Sequence, residues 1–297
     1  MRGRILSSVW LALVVAACSA PEGSNVVSPE VAPRFTKSTV DTLALPDLTV
    51  DGKSTQNNWL VRVEDFPADF CSVIEGGVTP GTHAVIRFTV TTPNIGEGDV
   101  FVGSPLEHMD PNGDGDYADQ DGLFELATCH GHFHFQHYAT YRLVDESGKE
   151  WKSAKRGFCM LDTDPYNVGV GDGSWTYRNC GTTNFDGFQG VSHGWADTYT
   201  FKLGGQYFVL DGGDGQPPVP PGQYRIVVEV NPPYAPTNGV CPRITDPYGT
   251  CRQFAESDYT NNVASTPVTI TGHPGRTGYG TIKNAKTLVA ADEIEKY

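Results

Sequence analysis

From Cys129 to Phe135 the chain reads Cys-His-Gly-His-Phe-His-Phe, so His130, His132 and His134 alternate strictly with Gly131, Phe133 and Phe135. A two-residue period is that of a β-strand, which sends successive side chains to opposite faces. The three imidazoles therefore project to one side and the two phenylalanines to the other. In a straight strand the outer two Cα atoms stand roughly 13 Å apart, so a shared ion requires the strand to bend. Gly131 makes a bend cheap. Imidazole is the commonest ligand of zinc, copper, iron and nickel, so the cluster reads as a metal site without selecting the metal.

Strand-like segments run through the rest of the chain. Segments Trp59 to Val63, Ala84 to Thr91, Tyr138 to Val144, Thr198 to Leu203, Tyr207 to Leu210, Tyr224 to Val230 and Val263 to Ile270 are short and rich in β-branched and aromatic residues. Each is bounded by Gly, Pro, Asn or Asp. The pattern predicts an all-β protein, a β-sandwich-like domain with long functional loops. Ahead of it, Arg2 and Arg4, an apolar run from Ile5 to Val15 and the small residues before Cys18 read as a lipoprotein signal over 1–17. Cys18 is then the lipid anchor to a membrane and the protein is exported. Residues 18–44 form a flexible tether, 45–272 the folded domain and 273–297 a C-terminal tail. The net charge is −14, and more negative once Arg2 and Arg4 are removed, which excludes nucleic acid as a partner and favours cations. Cys71, Cys129, Cys159, Cys180, Cys241 and Cys251 then remain, an even set that predicts three disulfides. Spacing leaves their pairing open, with Cys241 and Cys251 the easiest local pair.

Nine residues before the histidines, Asp110, Asn112, Asp114, Asp116 and Asp121 follow a calcium-loop spacing, with Gly115 at the turn position. Asp121 stands where a glutamate is usual, and no helical pattern flanks the loop. An isolated calcium loop is the expectation, against the plainer reading of a solvated acidic turn.

Five segments then occur in a telling order: Pro46-Asp47-Leu48; Cys129-His130-Gly131-His132-Phe133-His134; Ser153-Ala154-Lys155-Arg156-Gly157-Phe158-Cys159; Asp197-Thr198-Tyr199; and Ala255 to Asn262. From about Pro46 to Ile270 the chain resembles lysyl oxidase, the copper-dependent amine oxidase family, and its bacterial members in particular. The resemblance implies that His130, His132 and His134 hold copper. It implies that Lys155 and Tyr199 fuse by copper-catalysed oxidation into a lysine tyrosylquinone cofactor. The implied reaction converts primary amines, including lysine side chains of proteins, to aldehydes at the expense of O2, releasing hydrogen peroxide and ammonia. Such a cofactor needs a phenol within reach of copper and an unprotonated amine, so Lys155 has to be partly desolvated. The resemblance also implies a Cys129 to Cys180 disulfide, which leaves Cys71 for Cys159, and a second calcium site from Asp47, the Leu48 carbonyl, Asn261 and Asn262.

The chain departs from the family in two places. The family's histidine seven positions after the last copper ligand, a proposed base, is replaced by Tyr141, and a phenol is a poor base at neutral pH. His137 and His193 are the other candidates. The animal enzymes' cysteine shortly after Cys159 is also missing. Residue chemistry without the family says only that this is a three-histidine metalloprotein. A rival from another class therefore stands beside the oxidase: a non-catalytic cell-surface β module that holds structural metal and calcium.

Overall fold

Burial alternates along two of the longest strands. Gly222–Val230 buries Tyr224, Ile226, Val228 and Val230, and Val263–Ile270 buries Thr266, Val268 and Ile270. That is the signature of strands with one wet face. In the computed structural model, which describes residues 44–166, 175–236 and 239–282, these two strands pair antiparallel. Gly222–Val230 also pairs with Ala139–Asp145, which carries Glu150–Lys152 at the sheet edge. A second four-stranded sheet runs in the order Tyr207–Val209, Gly81–Phe88, Trp59–Phe66, Tyr279–Gly280. Its last strand comes from the segment read as a tail, through Leu60 opposite Gly280 and Val61 opposite Tyr279.

The protein is all-β. Helices among the described residues are three short ones, Gly52–Asn57, Cys71–Ile74 and Pro105–Met109. Both four-stranded sheets feed one apolar core, with Val61, Ile86, Phe88 and Phe208 from one and Tyr141, Leu143, Ile226 and Val268 from the other. Phe88 stacks on Phe208 at 4.9 Å and meets the edge of Tyr141 at 5.4 Å, which joins the two sheets. Smaller sheets complete the frame: Val90–Pro93 with Trp195–Tyr199 and Asp164–Pro165, Val100–Gly103 with Gln189–Val191, and the hairpin Phe124–Ala127 with His132–Phe135.

The strand expected over Thr198 to Leu203 is displaced. It runs over Trp195–Tyr199 instead, because the carbonyls of Phe201 and Leu203 turn away from any ladder to accept from Nη1 of Arg87, at 3.1 and 3.2 Å. Arg87 is buried and forked onto Glu64 by two bonds of 2.7 Å, the bidentate geometry that fixes a guanidinium in place.

The expected pairing of Cys129 with Cys180, and of Cys71 with Cys159, is overturned. The bonds run Cys71–Cys129, Cys159–Cys180 and Cys241–Cys251. Register gives the reason. Phe133 donates to the carbonyl of Gly181 at 3.1 Å, so Cys180 lies beside the arm of the histidine hairpin and not beside the turn that holds Cys129. Residues 1–43, with the expected signal, Cys18 and most of the tether, lie outside the described residues, as do 283–297. Among the described residues no helix is long and apolar enough to cross a membrane.

Candidate active site

The histidine strand is shorter than the alternation suggests. Only His132–Phe135 is extended, and His130 lies in the turn that joins it to Phe124–Ala127. Gly131 takes φ 75°, and its N–H closes the turn on the Ala127 carbonyl at 2.8 Å. A positive φ is available to glycine at no steric cost. The bend brings the three rings together, with centroids 5.5 Å apart for His130 and His132, 5.3 Å for His130 and His134, and 5.1 Å for His132 and His134. Three imidazoles sharing one ion at bond lengths of about 2 Å would have centroids about 5 Å apart. Phe133 and Phe135 on the other face are fully buried in the core, and each contributes roughly 1.5–3 kcal/mol to holding the strand.

His132 and His134 are themselves buried. Burial, then the charges of His134 and His130, lowers the pKa of His132 to about 3, and burial lowers that of His134 against the pull of Glu125. Both rings are thus neutral near pH 7, the form that ligates metal. Gly157 packs on His134: a Cβ there would come within 2.3 Å of Nδ1 and 2.6 Å of the ring's Cγ, so only glycine leaves the imidazole its place. Nδ1 of His134 has the Glu125 carboxylate at 3.8 Å, and Nε2 of His130 has Oε1 of Glu75 at 3.1 Å. As placed, no three His, Cys, Asp or Glu donors among the described residues close on one point. Ring spacing, neutral donors and the glycine cradle nevertheless suit a three-imidazole metal site.

Lys155 and Tyr199 come together. Nζ of Lys155 lies 5.1 Å from the centroid of the Tyr199 ring and 5.7 Å from that of Phe158. Tyr199 is buried, its hydroxyl donating to the Cys159 carbonyl at 2.7 Å and accepting from the Cys159 N–H at 2.8 Å. Burial, then the charge of Asp197, pushes the phenol well above its ordinary range. The segment 155–159 thus serves both groups. It lays Lys155 over Tyr199, sets Gly157 against His134, and joins the histidine strand where Phe135 donates to the Phe158 carbonyl at 2.6 Å.

The proposed stand-ins for a base sit differently. Tyr141 is buried edge-on to Phe158, and burial raises its phenol far above 10, so it stays protonated at neutral pH. His137 is exposed at φ 61°, and Nδ1 of His193 faces the Gly96 carbonyl. Beside the histidines a cleft of about 480 Å³ is lined by Glu75, Glu125, Cys129, Gln136 and Arg156. Sequence reasoning gave no role to Glu75, Glu125 or Arg156, the last of them part of a quoted motif. Glu75 in particular reaches the site through the Cys71–Cys129 bond and its approach to His130, contacts remote in sequence that leave no local motif.

The Asp110 to Asp121 loop is exposed and closed on itself. Asp110 accepts from the N–H groups of Asp114 and Gly115, Asn112 from Asp114, Asp114 from Asp116, and Asp116 from Ala118. Asp121 has other partners, with Oδ2 2.6 Å from Nδ1 of His108 and Oδ1 accepting from the Leu123 N–H at 2.9 Å. Asp47 and Asn261 are joined by a bond of 2.8 Å, and Asn262 donates to Glu256 at 2.7 Å. The amide oxygens of Asn261 and Asn262 are buried without a hydrogen-bond partner, and such oxygens suit a hard cation. Glu256, also bonded by the Leu48 N–H at 2.6 Å and by Asn231 at 2.7 Å, was part of a quoted motif but had no role assigned to it.

The three clustered imidazoles and the Lys155–Tyr199 pair thus share one segment, 155–159, on an all-β frame. The lysyl oxidase family profile matches residues 77–238, more than half of the chain, and the chain belongs to the lysyl oxidase family. Lysyl oxidase homolog 2 of Bos taurus is 27% identical over 258 residues, covering 85% of this chain and 28% of that protein. Protein-lysine 6-oxidase of Gallus gallus is 31% identical over 153 residues, covering 50% of this chain and 29% of that protein. The chain thus spans less than a third of the length of these two relatives. A CARDB domain from Pyrococcus furiosus aligns over 76% of this chain and 90% of that one at 12% identity, but its TM-score of 0.25 carries no argument.

Proposed function

We propose that this chain is an exported, copper-dependent amine oxidase that converts primary amines, with the lysine side chains of proteins as the substrate class, to aldehydes, hydrogen peroxide and ammonia. The observation that carries the reading is the placement of Lys155 5.1 Å from the Tyr199 ring on the same short segment that cradles His134. Family membership supports it. His130, His132 and His134 would hold copper. When bound, copper supplies the redox chemistry that matures Lys155 and Tyr199 to a lysine tyrosylquinone, and that quinone supplies the electron sink for amine oxidation by O2.

The chain's own residues prepare this. Cys159 holds the Tyr199 oxygen from both sides, so the ring cannot swing away while its face stays toward Lys155. Lys155 is half-buried beside the Phe158 and Tyr199 rings, within a side-chain movement of the tyrosine it would join. The Glu75 and Glu125 carboxylates in the cleft attract a cationic substrate. Calcium is assigned to the Asp110, Asn112, Asp114, Asp116 and Asp121 loop and to the Asp47, Leu48, Asn261 and Asn262 cluster, as structural ions. A signal over 1–17 with Cys18 lipidated would place the enzyme in the cell envelope. Copper-loaded protein should make peroxide from a primary amine and stop on treatment with phenylhydrazine. Absence of amine-dependent peroxide from fully copper-loaded protein refutes the proposal and favours the non-catalytic module.

A further inference from the structure

The helix Cys71–Ile74 and the turn after it are remote in sequence from the histidines, yet Oε1 of Glu75 stands 3.1 Å from Nε2 of His130. That position is built from several sides. Cys71, whose carbonyl accepts the Glu75 N–H at 2.8 Å, is bonded to Cys129, the neighbour of His130. Arg156 donates from Nη2 to the Gly76 carbonyl at 3.0 Å and from Nη1 to the Ser153 carbonyl at 3.3 Å, tying the turn to the segment that carries Lys155. Gly77 is pressed against the same segment, where a Cβ would lie 2.8 Å from the Ala154 carbonyl oxygen. Oε1 of Glu75 is buried and has no hydrogen bond as placed, so an N–H turned toward it would supply the partner a buried carboxylate oxygen requires.

We infer that Glu75 is the positioning residue of the metal centre: held by the Cys71–Cys129 disulfide, its carboxylate stands 3.1 Å from Nε2 of His130, placed to take the Nε2–H when that ring ligates through Nδ1 and so to fix the ring's tautomer and orientation. The inference rests on the metal-centre part of the reading above and not on the quinone. A carboxylate on the far nitrogen of a ligating imidazole locks the ring and raises its basicity, and loss of such a partner typically weakens metal binding by about 10–100-fold. The disulfide gives this effect a mechanical origin. With Cys71 released, Glu75 keeps only the Arg156 tie and its own helix turn.

The test is Cu(II) affinity by chelator competition together with the electron paramagnetic resonance spectrum of the bound ion. Glu75→Ala should weaken binding by about 10–100-fold and alter the copper hyperfine pattern, while Glu75→Gln, whose amide oxygen still accepts, should recover part of both. Cys71→Ser/Cys129→Ser should mimic Glu75→Ala, whereas Cys241→Ser/Cys251→Ser should bind copper as wild type does. Melting curves of the metal-free proteins show whether each variant is folded, and Glu75→Gln serves where a cysteine pair is needed for folding. Wild-type affinity with an unchanged spectrum in Glu75→Ala overturns the inference. Protein that binds copper with this Glu75 dependence but oxidises no amine would refute the proposed activity and leave the inference standing.

Discussion

Gly157 shows how little room the histidine cluster has. Its Cα lies where any side chain would strike His134 at 2.3–2.6 Å, and the neighbouring Phe158 is bonded to the histidine strand, so the segment cannot retreat. Gly157→Ala is therefore expected to cost about 1–3 kcal/mol and to weaken copper binding together with stability. Calorimetry and chelator competition read the two effects, and an unchanged melting temperature would contradict the packing described. Lys155 and Tyr199 are expected to act as one unit. Lys155→Ala and Tyr199→Phe should each abolish amine-dependent peroxide to the same degree, with the double variant no worse. Full activity in either single variant would remove the pair from the chemistry. The alternation of histidines and the bend at Gly131 were legible because both are local: a period of two, and a residue that accepts a positive φ. The fit of Gly157 against His134 was not, since it depends on a contact between segments far apart in the chain.

The elements around the site are held by covalent and polar ties that local pattern does not encode. Which cysteine meets which follows from whether a residue lies in the turn or in the arm of the histidine hairpin, and that register is set by the core contacts of Phe133 and Phe135. In the chain-entropy view the Cys71–Cys129 and Cys159–Cys180 loops, separated by 58 and 21 residues, stabilise by about 4 and about 3 kcal/mol. Cys159→Ser/Cys180→Ser should lose stability of that order and, because Cys159 also pins the Tyr199 hydroxyl, lose cross-link yield. A stable variant with full yield would show that the anchor is not needed. In the Asp47, Asn261 and Asn262 cluster, burial outweighs three donated hydrogen bonds and raises Glu256 from 4.5 to about 7. The folded state thus binds the extra proton. Its stability contribution is full below about pH 4.5 and is lost as pH rises through about 7, on the order of 3 kcal/mol. A cation beside Asp47 would favour the ionised form, so calcium should raise the melting temperature more at pH 8 than at pH 5. Equal calcium shifts at both pH values, or none, would remove the ion from this cluster.

At the scale of the whole molecule, the all-β frame was readable because its strands are short runs of β-branched and aromatic residues bounded by Gly, Pro, Asn or Asp, and the family because five short motifs keep their order. The frame brings the 124–135 hairpin, the 153–159 segment and the strand ending at Tyr199 to one place, although only the first carries a metal signature of its own. The displaced strand at Trp195–Tyr199 marks the boundary of such reading: the buried Arg87 takes the carbonyls that propensity would have given to a ladder. The central claim is that this arrangement is a cofactor precursor and not a lysine resting on an aromatic ring. Its most direct test is mass spectrometry of peptides from protein incubated with copper in air. The account predicts a peptide pair covalently joined through Lys155 and Tyr199, absent without copper and absent in Tyr199→Phe. Copper-saturated protein from which both peptides are recovered unlinked would contradict it.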